Sequence, residues 1–268
     1  VSVSTWRIRD TAAVASSTVA FAFVALAFAR VAAADVSVAT SGAYTAAYLE
    51  LVPRLERIAN DEIVTAATSV GAGADSIPSR LARGESIDVV IVAEAVLAEL
   101  VEKGLVIADS RRDLARSSIG VVVKAGAPKP DIRSVEGLRQ ALLQAKSIAY
   151  SGSVSGTYVS TELFRYLGIA DQVAAKGRKI ERERVAAVVA RGEAEIGFQQ
   201  ISELKPVPGV DYVGPLPPEV QRVTTFSAAV VTGSRRVAVA RAIVDFLASP
   251  DAVSVAVTTG LEPPPTHR

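Results

Sequence analysis

The chain has 268 residues, half of them hydrophobic, and a formal net charge of +1. That is enough apolar matter for one large domain or two small ones, and so even a charge balance excludes a nucleic-acid partner held by bulk charge. Cysteine is absent and the single histidine, His267, sits in the tail, which excludes disulfide staples, a Ser–His–Asp triad and the usual zinc arrangements.

Residues 1–34 read as a cleaved secretory signal. Arg7 and Arg9 form a positive front, residues 11–29 are apolar, and Ala32-Ala33-Ala34 is a small-residue cleavage site. Cleavage would remove Arg7, Arg9, Arg30 and Asp10 and leave a net charge of −1.

From residue 35 the chain alternates strand and helix. Apolar runs predict strands over 35–39, 62–68 and 88–93, with helices over 44–59, 77–83 and 95–103, the last ended by Gly104. A strand over 116–124 leads into AGAPKPDIRS, whose prolines mark a crossing segment. Ser134 then caps a helix over 135–146, and a strand over 147–150 opens the run SGSVSG before a helix over 157–167. A helix over 185–192, a strand over 194–199, a Pro/Gly-rich return over 207–218, a strand over 224–231 and two helices over 237–248 and 251–258 complete the pattern. Such alternation predicts an α/β fold of largely parallel sheets covered by helices. The expected organisation is two lobes, one from 35–115 and 222–268, the other from 116–221. The chain would cross near 116–125 and return near 220–228.

Two stretches carry the candidate site. VATSGAY, at 38–44, echoes IAYSGSVSGTY, at 148–158. Each is a strand that stops in Ser and Gly and opens a helix. The first N–H groups of a helix lack partners, its dipole is positive there, and glycine lets a ligand approach the backbone, so both loops suit an anion. Ligands in such sheets bind beyond the carboxyl ends of the strands, which adds the Gly-rich loop 69–76. SGSVSG lacks the Gly-Lys-Ser/Thr of a phosphate-binding loop. No cofactor or metal is expected, and the partner is a small anion taken up by a monomer.

ATSGAY (39–44), RLARGESIDVVIVA (80–93), LVEKGLV (100–106) and VVARGEAEIGF (188–198), in that order, resemble the molybdate-binding proteins of ABC importers, which are type II periplasmic solute-binding proteins. The resemblance covers most of 35–262. It implies two lobes joined by two hinge crossings, an oxyanion held between them, and delivery to the membrane subunits of an importer. Residue by residue, it implies ligand contacts from Ser41, from Ala72 or Gly73 where the family has a second serine, from Ser155 with the Gly156 backbone, and from Gln200 where the family has a tyrosine; the two loops themselves add Thr40, Gly42, Ser153 and Tyr158 as candidates.

Arg116, Arg182 and Arg184 stand where that family does not use arginine. Arg116 is the candidate clamp for an organic carboxylate, since a guanidinium grips a carboxylate with two parallel bonds. Arg182 and Arg184 lie in KGRKIERER, which reads as a solvated face. IGFQQISEL (196–204) and VGPLPPEVQ (213–221) resemble a divergent branch that includes aconitate isomerases. The primary expectation is therefore anion capture and the alternative is isomerisation on the same scaffold. Isomerisation needs an acid/base, for which Tyr158, Glu203 and Lys146 are the candidates.

Overall fold

The computed structural model describes residues 35–69 and 73–265. The expected signal at 1–34 and Ala72 lie outside the described residues.

Nine strands form one mixed sheet: β1 (Val36–Thr40), β2 (Ile63–Ala67), β3 (Val89–Ala93), β4 (Arg112–Lys124), β5 (Ile148–Ser151), β6 (Gly177–Ile180), β7 (Ile196–Gln200), β8 (Val210–Pro215) and β9 (Val223–Val230). Their order is β2-β1-β3-β9-β4-β7-β5-β6, and β8 pairs β4. The trio β2, β1 and β3 is parallel, as is the trio β6, β5 and β7. The long strand β4 joins the two, antiparallel to β9 along its first half and to β7 and β8 along its second. Because β4 carries hydrogen bonds from end to end, the expected pair of separate, mostly parallel sheets is instead one continuous mixed sheet, and the described residues form one compact unit.

Register explains where a site forms. Ala93, at the end of β3, is level with Phe226 of β9, which is level with Ala115 of β4. Gln200, at the end of β7, is level with Ile119 of β4. The carboxyl ends of the two parallel trios therefore arrive at the same short stretch of β4 from opposite directions.

Helices cover both faces. They are α1 (Gly42–Ala59), α2 (Ile77–Ala82), α3 (Glu94–Glu102), α4 (Val135–Gln144), α5 (Val154–Tyr158), α6 (Phe164–Tyr166), α7 (Ala170–Ala174), α8 (Val185–Ala190), α9 (Ile201–Leu204), α10 (Val237–Leu247) and α11 (Pro250–Thr258). A π-helical turn, Val159–Leu163, joins α5 to α6, so the helix runs unbroken through the join. In α1, Tyr44, Ala47, Tyr48, Leu51 and Leu55 recur at helical spacing and are all buried against β1, β3, α10 and α11. Truncating Leu51 to Ala there would cost about 2–5 kcal/mol. Helix α1 ends where Asn60 takes a left-handed conformation, φ 50°.

Two strands were not foreseen. β8 lies in the expected return, and β6 lies in the charge run. Both are outer strands, with β8 bonded to β4 and β6 to β5. Proline and charge are what protect such edges from pairing with other chains.

Candidate functional site

At the end of β1 the chain turns through Ser41 into α1. Ser41 N–H donates to the Ile91 carbonyl at 2.7 Å, which locks the turn to β3. Its side chain does not cap the helix. Instead the Thr45 hydroxyl, one turn on, shares its one proton between the Ser41 carbonyl at 2.9 Å and the Thr68 carbonyl at 3.0 Å. Ser41 Oγ is left buried with no protein partner. A buried hydroxyl without a partner costs about 1–3 kcal/mol, so this atom is set up to receive one. Thr40 is fully buried and donates to the Ser41 carbonyl, so it supports the loop from behind.

The second loop is built differently. The hydroxyls of Ser151, Ser153 and Ser155 form a triangle with sides of 2.8, 3.0 and 3.3 Å. Gly156 is required because a Cβ there would overlap the backbone carbonyl of Ser151. Its lack of a side chain closes the loop on itself, where the sequence suggested approach by a ligand.

Between the loops lies a cavity of about 760 Å³. Ser41, Gly42, Ser153, Ser155, Tyr158 and Gln200 line it, with Thr68 and Ser69 from the loop after β2. Arg182, Arg184 and Arg222 supply cationic walls. Arg222 pairs with Glu162 at 2.8 Å and lies 4.9 Å over the Tyr158 ring, whose hydroxyl donates to the Val220 carbonyl at 2.7 Å. The run that read as a solvated face therefore delivers two arginines to the cavity.

A carboxyl group faces these cations. The one-turn helix α9 follows directly on β7 and carries Glu203 back over the strand end, where it is 8% exposed. Glu203 Oε1 accepts from Gln199 Nε2 at 2.9 Å, and Gln199 Oε1 accepts from the Val185 N–H at 2.9 Å. The same Oε1 occupies the space that a side chain at Gly42 would need. Burial pushes the Glu203 carboxyl up to about 7, against the pull of the Arg184 charge and the Gln199 hydrogen bond. Burial also raises the Tyr158 phenol, further from neutrality. Lys146 does not line the cavity.

Of the expected contacts, Arg116, Gly73, Thr40 and Gly156 lie outside the cavity lining, and Gln200 reaches it with its amide already engaged. Arg116 pairs with Glu262 at 3.6 Å and donates to the Pro263 carbonyl at 3.0 Å, outside the cavity lining. The reason is the chain's last segment, which bonds to the Arg116 backbone through both Glu262 N–H and C=O at 2.8 Å and draws the guanidinium with it. Gly73 belongs to a turn of 3-10 helix at φ +58° and does not line the cavity either. Gln200 reaches the lining, but its amide is engaged by the sheet. In the orientation that satisfies every partner, its nitrogen donates to the Ser117 and Ser118 carbonyls at 3.0 and 3.2 Å and its oxygen accepts from Thr224 at 2.9 Å. Arg222 was missed, since it lies in a return with no periodic pattern.

The family model for bacterial extracellular solute-binding proteins matches residues 36–262. A curated relative from Pseudomonas sp, named aconitate isomerase, is 44% identical over 231 residues, covering 86% of this chain and 88% of the relative. Among solved structures, the periplasmic molybdate-binding protein of Azotobacter vinelandii aligns with a TM-score of 0.69 at 19% identity, over 86% of this chain and all of that one (100%). The sulfate-binding protein SubI of Mycobacterium tuberculosis aligns with a TM-score of 0.66 at 20% identity, over 85% of this chain and 86% of that one. At these identities the two structures speak to the fold, which is the α/β fold of the type II periplasmic binding proteins.

Proposed function

The chain belongs to the bacterial extracellular solute-binding protein family, and on that premise we propose that it isomerises an unsaturated tricarboxylate, interconverting cis- and trans-aconitate outside the cytoplasm. One observation carries this reading: of the five carboxyl groups that line the cavity, Glu203 is the buried one and makes no ion pair among the described residues, whereas the other four are paired with cations. A protein that only captures an anion gains nothing from a buried carboxyl without a cation partner there, because like charges in a low-dielectric pocket repel. A protein that moves a proton needs a group of that kind. The name of the relative at 44% identity agrees with it.

Aconitate has three carboxylates, one methylene and one double bond, so its cis and trans forms interchange by moving a proton from one end of an allylic system to the other. The arginines Arg182, Arg184 and Arg222, with the Ser41 hydroxyl and the serine loop 151–155, supply the donors for three carboxylates. Holding all three fixes the carbon chain against the acid/base group.

The same reading includes cleavage after Ala34 and closure of two lobes, 35–115 with 222–268 and 116–221, over the substrate. Its support is the paired apolar cores, two on the β1–β3 side and two on the β5–β7 side.

The test is direct. Purified protein is incubated with cis-aconitate, and the proton spectrum is followed until the trans isomer has accumulated over many turnovers. Binding by calorimetry without conversion would instead favour plain capture of the anion, in line with the solute-binding description of the family.

A further inference from the structure

Building on the isomerase reading, we infer that Glu203 is the single group that takes and returns the allylic proton, and that Gln199 is the positioning residue that aims it. Five carboxyl groups line the cavity: Glu94, Glu162, Glu181, Glu183 and Glu203. Four are held by cations. Glu94 pairs with Arg111 at 2.6 Å, Glu162 with Arg222 at 2.8 Å, Glu181 with Lys179 at 3.1 Å and Glu183 with Arg191 at 2.8 Å. A carboxylate in an ion pair is a weak base, because its partner stabilises the charged form. Glu203 is the buried member of the five and makes no ion pair among the described residues.

Its orientation is fixed from three elements. From β7, Gln199 donates to Oε1. The amide cannot be reversed, since its oxygen accepts from the Val185 N–H at the start of α8, and a backbone N–H only donates. From α1, Gly42 leaves the room that Oε1 fills and brings no charge. From the segment before α8, Arg184 is the charged group that acts on Glu203. With Oε1 committed as an acceptor, Oε2 is the oxygen that carries the proton.

The step balances within the substrate and this carboxylate. Oε2 takes a proton from the substrate methylene, and the C–H electron pair passes into the allylic system and its carboxylates. The bond between the former methylene carbon and the central carbon becomes the new double bond, so the rotamer about it in which the substrate is held sets which isomer forms. A proton, the one taken up or one exchanged with solvent on Oε2, then passes to the former vinyl carbon, and the double bond reforms one position along. Nothing is oxidised or reduced, and no co-reactant enters.

The experiment compares wild type, Glu203→Gln and Gln199→Leu with cis-aconitate, by proton NMR in H2O and D2O, alongside calorimetric titration with trans-aconitate. Glu203→Gln should fold, bind the tricarboxylate and lose at least about a hundredfold in both isomerisation and exchange of the methylene. In Gln199→Leu the acid limb of the kcat–pH profile should move to higher pH, since a bond to the ionised carboxylate is gone; a merely structural residue would lower the rate at every pH and leave that limb in place. If wild type turns over and Glu203→Gln stays within threefold of it, the assignment is overturned and the isomerase reading stands. Wild type that binds aconitate but neither isomerises it nor exchanges its protons overturns both.

Discussion

The two serine loops echo each other in sequence but face the cavity with opposite chemistry. At Ser41 the hydroxyl is buried with no partner, while the Thr45 hydroxyl is turned to the Ser41 and Thr68 carbonyls. At Ser151, Ser153 and Ser155 the hydroxyls satisfy one another. The glycines differ in the same sense. Gly156 makes room for the backbone of its own loop, whereas Gly42 makes room for the tip of Glu203 from another element. A shared strand–Ser–Gly–helix pattern thus specifies a turn, while the neighbours decide whether its groups are left for a ligand.

The glycines give the largest expected contrast. Gly156→Ala puts a Cβ onto the Ser151 carbonyl, which cannot move without dismantling the turn. The expected loss of stability is about 3 kcal/mol, the top of the usual range for overpacking, read from the midpoint of chemical denaturation. Gly42→Ala displaces only the flexible end of a side chain. It should cost about 1 kcal/mol or less in stability, yet reduce turnover on the order of a hundredfold by turning Glu203 away. Equal stability losses with unchanged turnover in Gly42→Ala would erase the distinction.

The hydroxyls come next. Ser41→Ala removes one hydrogen bond to a charged ligand, worth about 1.5–3 kcal/mol, or roughly ten- to a hundredfold in Kd for trans-aconitate. Because the lost hydroxyl was buried and unpartnered, the melting temperature of the free protein should hold or rise. A drop in melting temperature with unchanged Kd would mean that the hydroxyl serves the fold.

How far these features could be read in the chain follows from the length of the signal each one leaves. Strands β1, β3 and β7 are apolar runs and α1 is a long periodic helix, so the alternation was legible, as were both serine loops. β6 carries Arg178 and Lys179 and β8 ends in Pro215, so each hides as an edge does. Glu203 rides on a helix of four residues, too short for any periodicity, and its burial arises from α1, far away in sequence. Arg116 misled because the sequence does not reveal that residues 262 and 263 run alongside it. Even the lobes were only partly legible: the trio β2, β1 and β3 was foreseen, but not β6 of the second trio, nor that β4 would bind the two into one sheet.

The smallest effect should come from Ser155→Ala. Its hydroxyl lies 3.0 Å from Ser151 Oγ and 3.3 Å from Ser153 Oγ, both longer than the 2.8 Å contact between Ser151 and Ser153. Removing it leaves the shortest side of the triangle intact, so no buried hydroxyl is stranded. The expected cost is about 0.5–1 kcal/mol of stability. Kd for trans-aconitate should change by less than about threefold, because the backbone donors of the turn survive the substitution. Calorimetry on Ser41→Ala and Ser155→Ala side by side decides the matter. If Ser155→Ala weakens binding as much as Ser41→Ala does, the triangle must open to meet the ligand, and the two loops are chemically alike after all.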